Sequence, residues 1–330
     1  MATKQIALMA GGFSGEYEVS LNSAKNIKAN LDQAKYTVYT ILIGRDDWFY
    51  EDETGNQVSV DKNDFSLTLN GQKIKFDAAF ITVHGTPGED GKLQGYLDMM
   101  GVPYNTCDAT TSAITMNKAY TKALIHSIHN LYTAKSMQLF DRDVHEIAVI
   151  ANALQFPLFI KPNNGGSSVG MSKVHNVAAL PEALEKAFHE DSQVLVEEFI
   201  KGREFSIGIA RLNGHLTVLP ATEIITSKEF FDYEAKYTDG ITKEVTPADL
   251  SPEKNAEIAQ IVTEVYLRLN CKGMVRIDFI LQENTNNFYF IEVNTTPGQS
   301  AASLIPQQVR AMGMNVGEFY GMLIEGSTKG

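Results

Sequence analysis

Only two cysteines, Cys107 and Cys271, occur in 330 residues. That argues against a disulfide scaffold and fits a reducing compartment. No apolar run approaches the roughly 18 residues that a membrane-crossing helix needs. The chain also lacks internal repeats and low-complexity segments. Basic residues are outnumbered: 28 Lys and Arg against 40 Asp and Glu give a formal net charge of -12. Nonspecific nucleic-acid binding and docking on an anionic membrane both need basic patches, so neither is expected. Local lysines can still capture a small anion. The opening MATKQIALMAGG has one lysine and a short apolar run, which reads as a first strand rather than a signal peptide. A cytoplasmic protein is expected.

What is present is an ordinary globular composition, 44% hydrophobic and 21% charged. The length predicts two or three domains. Residues 1–115 alternate apolar strands (Ile6–Ala10, Thr37–Ile43, Ala78–Val83) with helical stretches (Ser20–Leu31, Lys92–Met100). Such alternation predicts an α/β unit on a mostly parallel sheet, with ligands at the carboxyl ends of its strands. The polar stretch YEDETGNQVSVDKNDFSLTLNGQK within it reads as short hairpins. Residues 116–205 open on a helix and contain strand Phe156–Lys161, a glycine loop, helix Val177–His189 and strand Val194–Glu198. Residues 206–330 hold further strands, a polar segment 226–247, helix Pro252–Leu269 and a strand pair.

That pair concentrates the chemistry. Met274–Leu281 and Phe288–Val293 flank the polar turn Gln282–Asn287, a hairpin pattern. Centring the turn near Thr285 sets Asp278 opposite Glu292 and Arg276 opposite Asn294. Side chains alternate along a strand, so these four share one face. Val275, Ile277, Phe279, Ile291 and Val293 then fill the other face. Two opposed carboxylates need compensation. Arg276 supplies it as a structural ion pair, or Asp278, Glu292 and the Asn294 oxygen hold a hard cation such as Mg²⁺.

Such a cation commonly serves a nucleotide phosphate, and LFIKPNNGGSSVGMSKV offers a cradle. Gly165 and Gly166 permit close backbone approach, while Ser167, Ser168 and nearby N–H groups suit phosphate oxygens. Lys161 ends the preceding buried strand, where an unpartnered lysine is rare. No Gly-Lys-Ser/Thr opens a helix here, so this is not a Walker A loop; a flexible Gly/Ser hairpin is the alternative. In VLVEEFIKGREFSIG an apolar strand ends at Glu197 and Glu198, followed by Phe199, Ile200 and Glu204. That order suits an adenine edge enclosed by apolar side chains, or simply a solvated pair of glutamates.

Taken in order, Lys118, Lys161 with its Gly/Ser loop, VEEFIKGRE and RIDF…IEVNTTPG resemble the ATP-grasp superfamily. GGFSGEYEVSLNSA, HGTPGEDGKLQGYLDMMGVPY, KPNNGGSSVGMSKV, FDYEAKY and NTTPGQSAASLIP are similar to the D-alanine–D-alanine ligase family. These blocks run from Gly11 to Pro306, nearly the whole chain. The resemblance implies an ATP-grasp fold of three domains. They are a Rossmann-like domain over 1–115, a central subdomain over 116–205, and a C-terminal subdomain over 206–330 carrying the metal site and a lid. It also implies the reaction, for peptidoglycan precursor synthesis. The γ-phosphate of ATP passes to the carboxylate of one D-alanine, and the amine of a second D-alanine displaces phosphate.

By the same resemblance, Asp278, Glu292 and Asn294 hold two Mg²⁺ ions, for which Mn²⁺ can substitute. Lys118 and Lys161 bind nucleotide, with Ser168 in the phosphate loop. Glu197 reads adenine, Phe199 and Ile200 enclose it, and Glu204 meets the ribose. Arg276 and the Gly298 N–H stabilise the tetrahedral oxyanion. Glu16, near His84, receives the first D-alanine; His84 reads otherwise as a capped turn histidine. Lys236 and Ser303 lie near the second substrate's carboxylate, with Lys236 also reaching the γ-phosphate, and Leu304 contacts a substrate methyl. Ser167 and Tyr237 join Glu16 in a hydrogen-bonded link when 226–240 closes as a lid.

Tyr237 favours an amine as second nucleophile, leaving D-alanine–D-lactate or D-alanine–D-serine ligation as the nearest alternative. A noncatalytic nucleotide-binding regulator would lack a metal ligand or the oxyanion arginine, and none is missing. Ser300 stands where the family usually has threonine, a departure that keeps the hydroxyl. A homodimer is the family expectation.

Overall fold

The computed structural model describes residues 3–52, 54–141, 147–166, 169–226 and 242–328. Among these residues, the first of three sheets contains β1 (Lys4–Gly11), β2 (Tyr36–Ile43), β3 (Trp48–Glu51), β4 (Gln57–Asp61), β5 (Ser66–Leu69), β6 (Gln72–Lys75) and β7 (Ala78–Ile81). Its order is β6-β5-β4-β3-β2-β1-β7, and only β2-β1-β7 is parallel. The mostly parallel sheet expected here is therefore parallel only at one end, where β7 is the edge strand. Tight turns can join only antiparallel neighbours: Asn70 and Gly71 between β5 and β6 have φ of 50° and 78°, the geometry of a two-residue hairpin.

Helix α1 (Tyr17–Asn30) packs Ala24 and Ile27 on one face of this sheet, against Ile6, Leu8 and Phe80. Helix α2 (Lys92–Met100) packs Leu93 and Leu97 on the other, against Met9, Ile41 and Ile81. Helices α3 (Ala109–Met116) and α4 (Lys118–Ile125) then lead into β8 (Leu131–Thr133). Although β8 falls within 116–205, it pairs with a strand of the third sheet.

The second sheet is antiparallel, in the order β11-β10-β12-β9. Its strands are β9 (Ser136–Phe140), β10 (Leu158–Pro162), β11 (Ser172–Val174) and β12 (Gln193–Glu198), with helices α5 (Ile147–Ala153) and α6 (Leu180–Glu190) on one face. Leu158, Ile160, Val194 and Val196 point to those helices. Alternation therefore turns Phe159, Lys161 and Glu197 to the opposite face.

The third sheet comprises β13 (Gly202–Leu212), β14 (His215–Val218), β15 (Thr222–Thr226), β16 (Thr242–Val245), β17 (Met274–Gln282) and β18 (Phe288–Asn294), in the order β16-β15-β13-β17-β18-β8 with β14 beside β13. Helix α7 (Pro252–Arg268) covers one face, burying Ile258, Ile261, Val262, Val265 and Tyr266 against Phe205, Ile207, Val275, Ile277 and Phe279. The chain ends in α8 (Leu304–Ala311) and α9 (Val316–Ser327), packed between the first and third sheets. Among the described residues no helix is long and apolar enough to cross a membrane.

The β17–β18 register agrees with the sequence: Asp278 pairs with Glu292 and Arg276 with Asn294. One expectation fails. The register shifts after Asp278, so Phe279 pairs with Phe290 and Ile291 is the extra residue of a β-bulge. Phe290, only 5% exposed, takes the core place expected for Ile291. Ile291 and Glu292 both turn towards the open face.

Gly208 stands opposite Arg276 on β13, directly beneath α8. A Cβ there would lie 2.6 Å from Ile305 Cδ1 and 2.7 Å from Gln308 Oε1. Both neighbours are fully buried, and Gln308 accepts a hydrogen bond from the Gly208 N–H at 2.9 Å. Gly208→Ala should therefore cost about 1–3 kcal/mol of stability by overpacking. Urea unfolding that leaves the midpoint unchanged would show that α8 can give way.

Candidate active site

Every expected site residue within the described chain lines one open cleft of about 1720 Å³. Single small-molecule pockets usually hold about 300–1,000 Å³, so this cleft has room for more than one ligand. Its walls come from all three sheets. Ser167, Ser168, Lys236, Tyr237 and most of the expected lid lie outside the described residues.

One wall is the polar face of β13, β17 and β18. Asp278 is buried, and four donors converge on it. Oδ1 accepts from Ser206 Oγ at 2.7 Å and Arg276 Nε at 2.9 Å; Oδ2 accepts from Arg276 Nη2 at 2.8 Å and Asn294 Nδ2 at 3.0 Å. Burial works against the Arg276 charge, but Asp278 and then Glu292 outweigh it and raise its pKa. The ion-pair reading of Arg276 is thus realised, and its side chain still borders the cleft. Across the bulge, Glu292 lies 3.4 Å from Lys118 Nζ.

The glycine loop after β10 is tied to the start of α4 by Asn163. Its carbonyl accepts the Lys118 N–H at 3.1 Å and its Oδ1 the Ala119 N–H at 2.9 Å. Asn164 is anchored to Asp191, with the backbone N–H at 2.7 Å from Oδ2. Lys118 Nζ in turn bonds the Gly165 carbonyl. The doubled asparagine therefore fixes the loop from two sides.

Deeper in the second sheet, Glu197 is clamped between two lysines, Lys161 on Oε2 and Lys122 on Oε1. Burial opposes its ionisation, yet Lys161 and Lys122 together hold the pKa down at about 2. Phe199 borders this point, with the Lys173 ammonium 3.6 Å from its ring centroid and Phe159 edge-on at 5.6 Å.

On the first-sheet side, Glu16 occupies the N-cap position of α1 without a side-chain capping bond. Its Oε2 reaches between two loops: a Cβ built on Gly166 would lie 3.7 Å from it, and one on Gly85 4.0 Å. His84 is buried. Its Nδ1–H donates to Thr296 O at 2.7 Å, and Ser23 Oγ stands 3.3 Å from Nε2 while accepting the Gln299 N–H at 3.0 Å. Burial lowers the His84 pKa, so the neutral ring is a strut between loops. Where β18 leads into α8, Ser303 Oγ accepts the Ser300 N–H at 3.0 Å and lies 2.8 Å from Ser300 Oγ. The Ser300 hydroxyl thus helps orient Ser303.

Three residues were not singled out from sequence. Lys122 follows Lys118 by one helical turn, a spacing that signals a shared face. Ser206 meets Asp278 only through β13–β17 pairing, which nothing local announces. Glu89, within HGTPGEDG, accepts the Gly85 N–H at 2.8 Å and the Thr296 N–H at 3.0 Å. Burial, and next the nearby Glu16 charge, push its carboxyl from 4.5 up to about 7. Between those values the native state holds a proton that the unfolded chain has released, so this group's contribution to stability falls as pH rises through that window. Glu89→Gln should flatten that slope in calorimetric scans from about pH 5 to about pH 8. An unchanged slope would assign the effect elsewhere.

Comparison with known proteins gives a consistent picture. The family description "D-ala D-ala ligase N-terminus" matches residues 5–107, and "D-ala D-ala ligase C-terminus" matches 129–325. A D-alanine–D-alanine ligase of Flavobacterium johnsoniae is 41% identical over 322 residues, covering 98% of each chain. The crystal structure of VanG, a D-Ala:D-Ser ligase from Enterococcus faecalis, superposes with a TM-score of 0.88 at 32% identity, covering 98% of this chain and 99% of that one. The Bacillus anthracis D-alanine–D-alanine ligase complexed with ATP superposes with a TM-score of 0.79 at 28% identity, covering 99% and 98%. With matches across both halves and nearly the whole length, this chain has the ATP-grasp fold and belongs to the D-alanine–D-alanine ligase family.

Proposed function

We propose that this chain joins two D-alanine molecules into D-alanyl-D-alanine for peptidoglycan precursor synthesis, with ATP converted to ADP and phosphate. The observation that carries the reading is the polar wall. Arg276, Asp278, Glu292 and Asn294 share one face of the β17–β18 hairpin, with Lys118 beside Glu292, in a cleft roomy enough for a nucleotide and two amino acids.

The residues fit a hard divalent cation by their donor chemistry. Among the described residues no group of three or more His, Cys, Asp or Glu is placed to hold a metal. Asp278, Glu292 and the Asn294 oxygen, two carboxylates and an amide, would hold Mg²⁺, two ions in the full reading, with phosphate and water oxygens completing the shells. When bound, the metal supplies positive charge to the transferring phosphoryl group.

The chain's own groups divide the remaining work. Lys118 and the Gly165–Gly166 backbone hold phosphates, joined by Lys161, Ser167 and Ser168. Glu197, Phe199 and Ile200 take the base and Glu204 the ribose. Glu16 accepts the ammonium of the first D-alanine, with His84 bracing the loops around it. Arg276 and the Gly298 N–H face the oxyanion formed when the second amine attacks. Ser303, Lys236 and Leu304 hold the second D-alanine, and Tyr237 helps to close the site against water, to which an acyl phosphate is vulnerable. The three units 1–115, 116–205 and 206–330 each supply one wall. A cytoplasmic location and a homodimer accompany this reading.

The likeness to VanG supports a second reading, ligation of D-alanine to D-serine, and D-lactate belongs to the same class of alternatives. ADP release and product mass with D-alanine alone, then with D-serine or D-lactate added, separate them. D-alanine-dependent ADP release yielding D-alanyl-D-alanine is expected. Its absence in the presence of Mg²⁺ would overturn the reading, and a predominant mixed product would select the second.

A further inference from the structure

Lys122 has no place in the cleft wall, yet its ammonium is fully engaged at the back of it. Nζ donates to Ala134 O at 2.8 Å, to Ser136 Oγ at 2.8 Å and to Glu197 Oε1. An ammonium has three hydrogens, and all three are used. Its side chain is only 8% exposed. Two of the partners sit where the chain crosses from β8 in the third sheet to β9 in the second. Ser136 also pairs with Glu197 across β9 and β12.

Helix α4 thus delivers two cations from one face. Lys118 reaches Glu292 and the glycine loop, and Lys122, one turn on, reaches Glu197. The second lysine on Glu197, Lys161, comes from the cleft side. Each carboxylate oxygen therefore carries one lysine, and each retains acceptor capacity. A carboxylate pinned in this way and held ionised can accept an N–H but can donate nothing.

We propose that Lys122 is a positioning residue for the base end of the nucleotide subsite: it fixes Glu197 as an acceptor-only group and thereby selects a purine bearing a 6-amino group over one bearing a 6-oxo group. This rests on the ligase reading, in which the cleft binds ATP. Lys122 acts through Glu197 and through the β8–β9 crossing, with no contact to the reacting atoms. A lysine that merely filled space would leave base choice untouched when replaced.

The test uses the full-length chain with Lys122→Met and Lys122→Arg. Calorimetric titration with ATP, and kinetics with ATP or ITP as the varied nucleotide, give the readouts. Lys122→Met is expected to raise the Kd and KM for ATP by about tenfold or more, since one charge-assisted bond to a buried carboxylate is lost. The ATP:ITP preference should narrow by a similar factor, with kcat and the KM for D-alanine within about threefold of wild type. Lys122→Arg should recover part of both losses. Should Lys122→Met fail to fold, Ser136→Ala, which removes one anchor of the same ammonium, should shift Kd and base preference in the same direction by less. A folded Lys122→Met or Ser136→Ala with wild-type Kd and wild-type ATP:ITP preference would overturn the inference. A wild-type chain that does not bind ATP would instead overturn the ligase reading, and this inference with it.

Discussion

Glu292→Gln is expected to abolish D-alanine-dependent ADP release while leaving the apo fold intact. The substitution keeps shape and volume and removes one negative charge. Its stability effect should be small. The ion pair of Glu292 with Lys118 spans 3.4 Å with the side chains 21% and 11% exposed, and Lys118 keeps its bond to the Gly165 carbonyl, so about 1–2 kcal/mol is at stake. The backbone of β18 is unaffected, and the bulge that aims Glu292 at the cleft is fixed by Phe290 packing against Phe279. The catalytic effect should be large, because in the proposed site Glu292 is one of only two carboxylates available to a divalent cation. Losing one hard anionic ligand leaves the phosphoryl charge poorly compensated, a loss of about 10²–10³ in kcat or more. Melting temperature and turnover, measured on the same preparation, separate the two consequences. Turnover within a few-fold of wild type would remove Glu292 from the cation site.

Much of this site was legible in the sequence because it lies on locally coded elements. The hairpin turn between two apolar runs sets which residues of β17 and β18 face each other, so the Asp278–Glu292 and Arg276–Asn294 pairs followed from counting alone. What counting could not provide was the bulge. Strict alternation assigned Ile291 to the core, but with Phe288 and Phe290 both packed inward the strand accommodates Glu292 by adding a residue. The parallel end of the first sheet, β2-β1-β7, was likewise legible from β/α alternation, while its antiparallel extension followed from turn chemistry that had been read as hairpins without a place in the sheet. Ser206 and Lys122 were invisible for a different reason. Each acquires its role from a partner 72 or 75 residues away, and no short-range pattern encodes such a contact. The resemblance to a ligase family supplied individual roles, such as those of Gly298 and Leu304, that residue chemistry alone does not give.

Arg276→Lys should separate the two roles that one guanidinium holds. As an ion-pair partner, Arg276 binds Asp278 through two parallel N–H···O bonds of 2.9 Å and 2.8 Å. Lysine preserves the charge but cannot form the fork, so Asp278 keeps Ser206 and Asn294 and loses bidentate geometry. Complete loss of a buried partner costs about 3–5 kcal/mol; with the charge retained, a smaller cost of about 1–2 kcal/mol is expected, read as a modest fall in melting temperature. If that were the whole role, the folded variant would turn over nearly normally. The placement argues otherwise. Arg276 lies on the cleft face between Asp278 and the loop leading to Gly298, and a planar donor held rigidly by Asp278 is preorganised for a negative oxygen that develops during reaction. Loss of such a donor typically lowers kcat by about 10²–10³, with little change in ground-state binding. The expected result is therefore a kcat reduced by at least about 10²-fold, a KM for ATP close to wild type, and a fold that remains stable at assay temperature. A kcat within tenfold of wild type, together with the predicted loss of stability, would return Arg276 to a structural ion pair.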